Sequence, residues 1–183
     1  MFFGKRNSGD TPAGNDGPER QPDKARAFFQ HAATVHETGN FEYAIQSWLS
    51  GLKFDPEDLS ALKGLLGSVA AFSSSAAGKK GLSKETTRPI SGKSDSERYL
   101  STMLDWAMSP ADSGAAVRAA EAAMKLKLRE PTEFLAEKAL LLAARDKKPR
   151  KDWFLKLRDA FQSVERFDRS IEAAQVALKL DPS

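Results

Sequence analysis

From Pro22 onward the chain places apolar residues three and four positions apart. Segments with that period run at about 23–38, 41–54, 57–72, 95–108, 112–128, 131–145, 150–164 and 167–180, and a 3.6-residue period is the signature of an amphipathic helix. β-branched residues are sparse and no run alternates with period two, which argues against strands. The breaks carry suitable chemistry. Thr38-Gly39-Asn40 stops one helix and starts the next. Asp55-Pro56, Ser109-Pro110, Lys148-Pro149 and Asp181-Pro182 end helices, because the residue before proline avoids the α region. Short connections between such helices make sequential neighbours antiparallel.

Two stretches depart from this pattern. Residues 1–22 are rich in Gly, Pro, Asn and Asp. They cannot bury enough apolar area to offset their ordering entropy, which predicts a disordered N-terminal tail. Residues 73–94 are polar, Gly/Ser-rich and basic, and within 79–98 six Lys and Arg face three acidic residues. A stretch this long inside a helical array is expected to be a flexible insertion, either disordered or functional.

The two ends of the helical region repeat one another. Phe41-Glu42-Tyr43-Ala44-Ile45 leads through Trp48 and Leu52 to Asp55-Pro56, and Phe167-Asp168-Arg169-Ser170-Ile171 leads through Ala174 and Leu178 to Asp181-Pro182, with the same spacing of 15 from Phe to Pro. Each is preceded by another helix, carrying Phe28, Ala32 and Val35 in one case and Phe154, Leu157 and Phe161 in the other. This pattern resembles the tetratricopeptide repeat, a helix–turn–helix unit of about 34 residues. The proline near the unit's end gives repeats at 25–58 and 151–183, and Ala116 to Leu126 aligned on Ser170 to Leu180 gives a degenerate unit near 97–130. Arg158 and Ser170 stand where the family favours small residues. Pro56 and Pro182 are not separated by a whole number of periods, so the pairing of helices between 59 and 145 stays open. The resemblance implies an all-α domain over 23–183, with about 8 helices in antiparallel pairs stacked as a short right-handed α-solenoid.

The resemblance also implies a function: a non-enzymatic scaffold or adaptor that holds a protein or peptide in its concave groove. The groove is lined in the family by outward positions of each first helix. Carried over, these are Arg26, Phe29, Ala33 and His36 in the first unit, Lys63 and Gly67 on the next helix, and Asp152, Leu155, Asp159 and Gln162 in the last unit. The Lys/Asn pair with which some members hold a C-terminal carboxylate is replaced here by Phe29 and Ala33. Phe29 suits an apolar anchor, and its plainer assignment is burial under a neighbouring segment.

Composition narrows the alternatives. The chain has no cysteine and two histidines, which removes disulfides, thiolate metal sites and cysteine nucleophiles. His31 and His36 are five apart and point to different sides of a helix, so no metal site is expected. Gly92-Lys93-Ser94 resembles the end of a phosphate loop, but Thr87 stands where that motif needs glycine and no strand precedes it. No catalytic constellation and no cofactor motif is present. Net charge is +3, too small to argue for nucleic acid by itself. Residues 145–158 do concentrate seven Lys and Arg against two Asp, with Trp153 and Phe154 among them. A small basic nucleic-acid-binding protein is therefore the alternative reading. No leader or membrane-spanning run is apparent, which predicts a cytoplasmic protein without membrane contact. Ile171, Val176 and Leu178 at the C-terminal end are expected to lack cover. Either the chain is a fragment of a longer array, or that end associates with a second copy.

Overall fold

Helix starts follow from local polar caps. Asn40, Asp58 and Asp112 accept hydrogen bonds from the backbone N–H groups of Tyr43, Ala61 and Ala115, and Ser94 and Glu97 cap each other reciprocally. In the computed structural model, which describes residues 19–181, nine α-helices follow: α1 (Pro22–Glu37), α2 (Phe41–Phe54), α3 (Leu59–Ser74), α4 (Lys84–Thr87), α5 (Asp95–Met108), α6 (Ser113–Lys125), α7 (Arg129–Arg145), α8 (Lys151–Ser163) and α9 (Phe167–Leu180). Two 3-10 turns, Ala77–Lys80 and Arg88–Ile90, flank α4. No strand occurs among the described residues. The architecture is all-α, with helices packed in adjacent pairs like the units of a helical repeat.

Three tight hairpins carry the architecture: α1/α2, α6/α7 and α8/α9. Each is closed by one residue in the left-handed region: Gly39 (φ 81), Lys127 (φ 57) and Glu165 (φ 63). In the last two turns the next amide reaches back over the helix end, Leu128 to Ala123 O at 3.1 Å and Arg166 to Phe161 O at 2.9 Å, which satisfies carbonyls the helix leaves open. Small residues set the close approach. Ala116, Ala119, Ala120 and Ala123 of α6 and Ala136 and Ala139 of α7 are all buried in the core, and α6 packs on α7. In α8/α9 that role falls to Ala160 and Ala173, so Arg158 turns outward to Asp159 and the buried Ser170 is accommodated. Arg166, just before α9, and Arg169 within it tie the hairpin to Glu133 and Glu137 of α7.

The middle of the chain departs from a regular period through residues 75–94. Of residues 73–94, expected as a flexible insertion, Ser73 and Ser74 complete α3 and the rest is folded along α2. Glu42 accepts from Ser83 N at 2.7 Å and from Thr86 Oγ1 at 2.8 Å, bonds that hold its carboxyl below the usual range. Gln46 donates to Glu85 O at 3.0 Å, and Thr86 and Ile90 are buried. Entering beside Glu42 and leaving beside Lys53, the segment follows the direction of α2. It thus supplies the antiparallel pass that a second long helix would have made. Lys53 then meets Glu97 at 3.0 Å in the first turn of α5, while Leu66 and Ala70 of α3 share a hollow with Trp106 and Ala107 of α5. Helices α3 and α5 therefore run in the same direction. The unit expected near 97–130 joins helices that do touch, but α6 makes its closest pairing with α7.

The expectation for 1–22 falls largely outside the described residues. Where the description begins, Arg20 forms a two-pronged bond to the buried Asp55, at 2.7 and 3.1 Å, Gln21 N donates to Phe54 O, and Pro22 opens α1. Along α9, Phe167, Ile171 and Leu178 are each more than half exposed, whereas Val176 is partly buried against the core. No helix among the described residues is long and apolar enough to cross a membrane.

Candidate binding site

The face between α1 and α3 holds a hollow of about 250 Å³ lined by Ala33, His36, Glu37, Trp48, Gly64 and Gly67. Its walls follow from local chemistry. Trp48 reaches from α2 across to α3 and lies so close to Gly64 that a Cβ there would meet the indole at 2.5 Å. The indole fits only because Gly64 has no side chain. A Cβ on Gly67 would meet nothing within 4 Å, so the hollow opens outward over that residue.

A hydrogen-bonded chain fixes the polar wall. Trp48 Nε1 donates to Ser68 Oγ at 3.0 Å, and Ser68 Oγ lies 2.9 Å from Nδ1 of His36. The indole N–H can only donate. It occupies one lone pair of Ser68, and the hydroxyl's second lone pair and its proton remain for the bond to His36, so the imidazole is anchored through Nδ1 with Nε2 on its far side. The ring is also held 5.1 Å from Phe41. The hollow thus combines an apolar indole face, a floor of small residues, one oriented imidazole and the exposed carboxylate of Glu37.

Of the residues expected to line a groove, Ala33, His36 and Gly67 meet here. Lys63 lies on the other side of the exposed stripe of α3, its ammonium 5.4 Å above the ring of Phe134 in α7. Arg26 is exposed, 3.6 Å from Asp23. Phe29 is not an exposed anchor: it is half-buried, 5.9 Å from Trp48, and a Cβ on Gly51 would strike its ring. Asp152, Leu155, Asp159 and Gln162 belong to α8, which packs on α6, α7 and α9. Asp152 pairs with Arg150, Asp159 pairs with Arg158, and Leu155 leans on the core. The structure therefore divides the expected site. The extra pass through 75–94 makes α7 run beside α3 in the same direction: Glu130 N donates to Glu57 Oε1 at one end, and Phe134 lies against Lys63 further along. Helix α7, which no groove assignment included, is the neighbour on that face.

The remaining motifs resolve into local roles. Ser94 of Gly92-Lys93-Ser94 is taken up by the α5 cap: its hydroxyl donates to Glu97 Oε2 at 2.7 Å and accepts from Glu97 N. These bonds and Lys53 hold the Glu97 carboxyl down to about 2. His31 turns away from His36 onto Tyr43, with ring centroids 5.3 Å apart. In the basic stretch, Arg150 stacks toward Trp153, and Lys156 bonds Glu121 of α6 at 2.9 Å. Trp48, Gly64 and Ser68 were not among the expected site residues. A glycine in the interior of a predicted helix was the available signal, since it weakens the helix unless something presses close.

Two comparisons with known proteins returned nothing: no family model matches the chain, and no curated protein matches it.

Proposed function

We propose that the protein is a non-enzymatic adaptor of tetratricopeptide-repeat type, which binds a peptide or protein segment across the face formed by α1 and α3. The observation that carries this reading is the hollow between those helices. It is walled by an immobilised indole and floored by residues too small to fill it. Sites for apolar side chains have this character: a preformed concavity with one or two oriented polar groups. His36, anchored through Nδ1, offers a polar ring edge at the rim for a hydrogen-bonding group of the partner.

The nucleic-acid alternative has weaker support. Of the seven cations in 145–158, Arg150, Lys151, Lys156 and Arg158 already bond carboxylates of the chain. Trp153 is half-buried against the core, with Gly114 beside it, and is not splayed for stacking on bases.

Gly67→Arg tests the adaptor reading. Because the position is open, the variant should fold with unchanged circular dichroism and unchanged melting, yet fill the hollow's mouth. Selection of a random peptide library on the wild-type protein should yield a consensus whose binding Gly67→Arg abolishes. Failure to enrich any sequence, or enrichment indifferent to Gly67→Arg, overturns the reading. Tight RNA or DNA binding that weakens steeply with salt would establish the alternative instead.

A further inference from the structure

We propose that the seam between α3 and α7 is the part of this face that recognises charge, and that it docks an acidic amphipathic segment of a partner protein. The inference rests on the adaptor reading and names the partner's chemistry. Two lysines converge on one aromatic ring here. The ammonium of Lys63 lies 5.4 Å from the centroid of Phe134, and that of Lys138, one turn further along α7, lies 5.7 Å from it. Neither lysine has a carboxylate partner among the described residues. Other exposed cations do sit beside acids, as Arg129 does with Glu165 and Lys125 with Glu121. Each ammonium is attracted to the ring, and two such cations at one ring form a local positive patch. A carboxylate placed beside either would be attracted to both.

The apolar half of the recognition adjoins it. Lys138 also lines a hollow of about 440 Å³, whose other walls include Leu66 and Ala70 of α3, Trp106 and Ala107 of α5, and Pro110. That volume accepts one or two large side chains. Beyond it on α7, Leu141 is 52% exposed. Leu66 and Ala70 lie one and two turns past Lys63, so the charged and apolar parts are about 5–10 Å apart along the helix. A helix laid along the seam would match this with a glutamate or aspartate one or two turns from a leucine or phenylalanine. The partner's acidic side chains supply the charge complementarity, and its apolar residue fills the hollow.

The test uses the full chain and two synthetic peptides. One is an amphipathic helix with leucines four residues apart flanked by glutamates; the other has lysine at every glutamate position. Fluorescence anisotropy at low salt should show the glutamate peptide binding at least about tenfold more tightly than the lysine peptide. Lys63→Glu/Lys138→Glu should reverse that order, and its circular dichroism should match wild type because both side chains are exposed. Equal binding of the two peptides, or a glutamate preference that survives the double substitution, overturns the charge assignment while leaving the α1–α3 hollow to the library experiment. Binding of neither peptide also overturns it. The adaptor reading fails separately, if no library sequence is enriched or if Gly67→Arg makes no difference.

Discussion

Two glycines three residues apart on one helix should respond to alanine with opposite signs. In an open helix interior, Gly→Ala stabilises by about 1 kcal/mol, because alanine loses less conformational freedom on folding. Gly67 meets that condition, with nothing within 4 Å of a Cβ built there. Gly64 does not. Its Cβ would lie 2.5 Å from Cζ2 and 2.7 Å from Cη2 of Trp48, well inside van der Waals contact. The indole has little room to yield. Trp48 is only 8% exposed, Phe29 lies on it at 5.9 Å, and Nε1 is held by Ser68. Over-packing of this kind costs about 1–3 kcal/mol, and moving the indole far enough to relieve it adds about 1 kcal/mol for the lost hydrogen bond. Set against the propensity gain of about 1 kcal/mol, Gly64→Ala should destabilise by about 2 kcal/mol, or roughly 4–8 °C in melting temperature for a domain of this size.

Urea and thermal unfolding followed by far-ultraviolet circular dichroism would measure both variants against wild type, and tryptophan emission would report the displaced indole. The comparison within one helix removes most of the uncertainty in the unfolded state, since both substitutions change it alike. A Gly64→Ala protein as stable as Gly67→Ala would refute the reasoning. The indole would then be loosely held, and the hollow beside it would not be preformed.

The phenol of Tyr99 is buried and its oxygen has no hydrogen-bond partner, and desolvation raises its pKa. Tyr99→Phe should therefore leave stability unchanged or raise it by up to about 1 kcal/mol; a loss of that size in urea unfolding would contradict the orphaned hydroxyl. Glu97, held at about 2 against an ordinary 4.5, stabilises the fold at neutral pH, and its contribution is lost as pH falls from about 4.5 toward 2. Glu97→Gln should destabilise by about 1 kcal/mol at pH 7 through the weakened α5 cap, with the gap to wild type closing in acid; a constant gap down to pH 2 would count against it. Gly39→Ala, at φ 81 with open space around the Cβ, should cost about 1 kcal/mol from backbone conformation alone. Glu165→Gly, relieving a non-glycine residue at φ 63, should gain a few tenths of a kcal/mol after the extra unfolded-state entropy of glycine; urea midpoints moving in the same direction for both would refute the turn assignment.

Apolar periodicity made the long helices legible, with ends displaced by a few residues. Helix α7 starts at Arg129 and not at Pro131, because a proline in the first turn gives up only an amide that the helix leaves unbonded. The folded pass through 75–94 was not legible. Its helical turns are three or four residues long, too short to hold themselves, and their partners are Glu42 and Gln46, about 40 residues away in sequence. Local pattern carries no information about such bonds.

That one long-range fact governs how much of the site could be read. Matching positions to repeat units grouped Ala33, His36 and Gly67, which the structure does bring to one hollow, because α1, α2 and α3 precede the insertion and keep the alternating order. Beyond it the order of directions shifts by one pass, so the same matching pointed to α8, whereas α5 and α7 are the later helices that meet α3. Phe134 and Lys138 are an aromatic and a cation one turn apart on an ordinary amphipathic helix, and sequence alone gives them no distinction. Only Lys63, arriving from α3 onto the same ring, makes them part of a surface. The Glu42 bonds to Ser83 and Thr86 are therefore more than a local staple. By holding the return pass against α2 they set the direction of α5, and through it decide which helix completes the face that α3 presents.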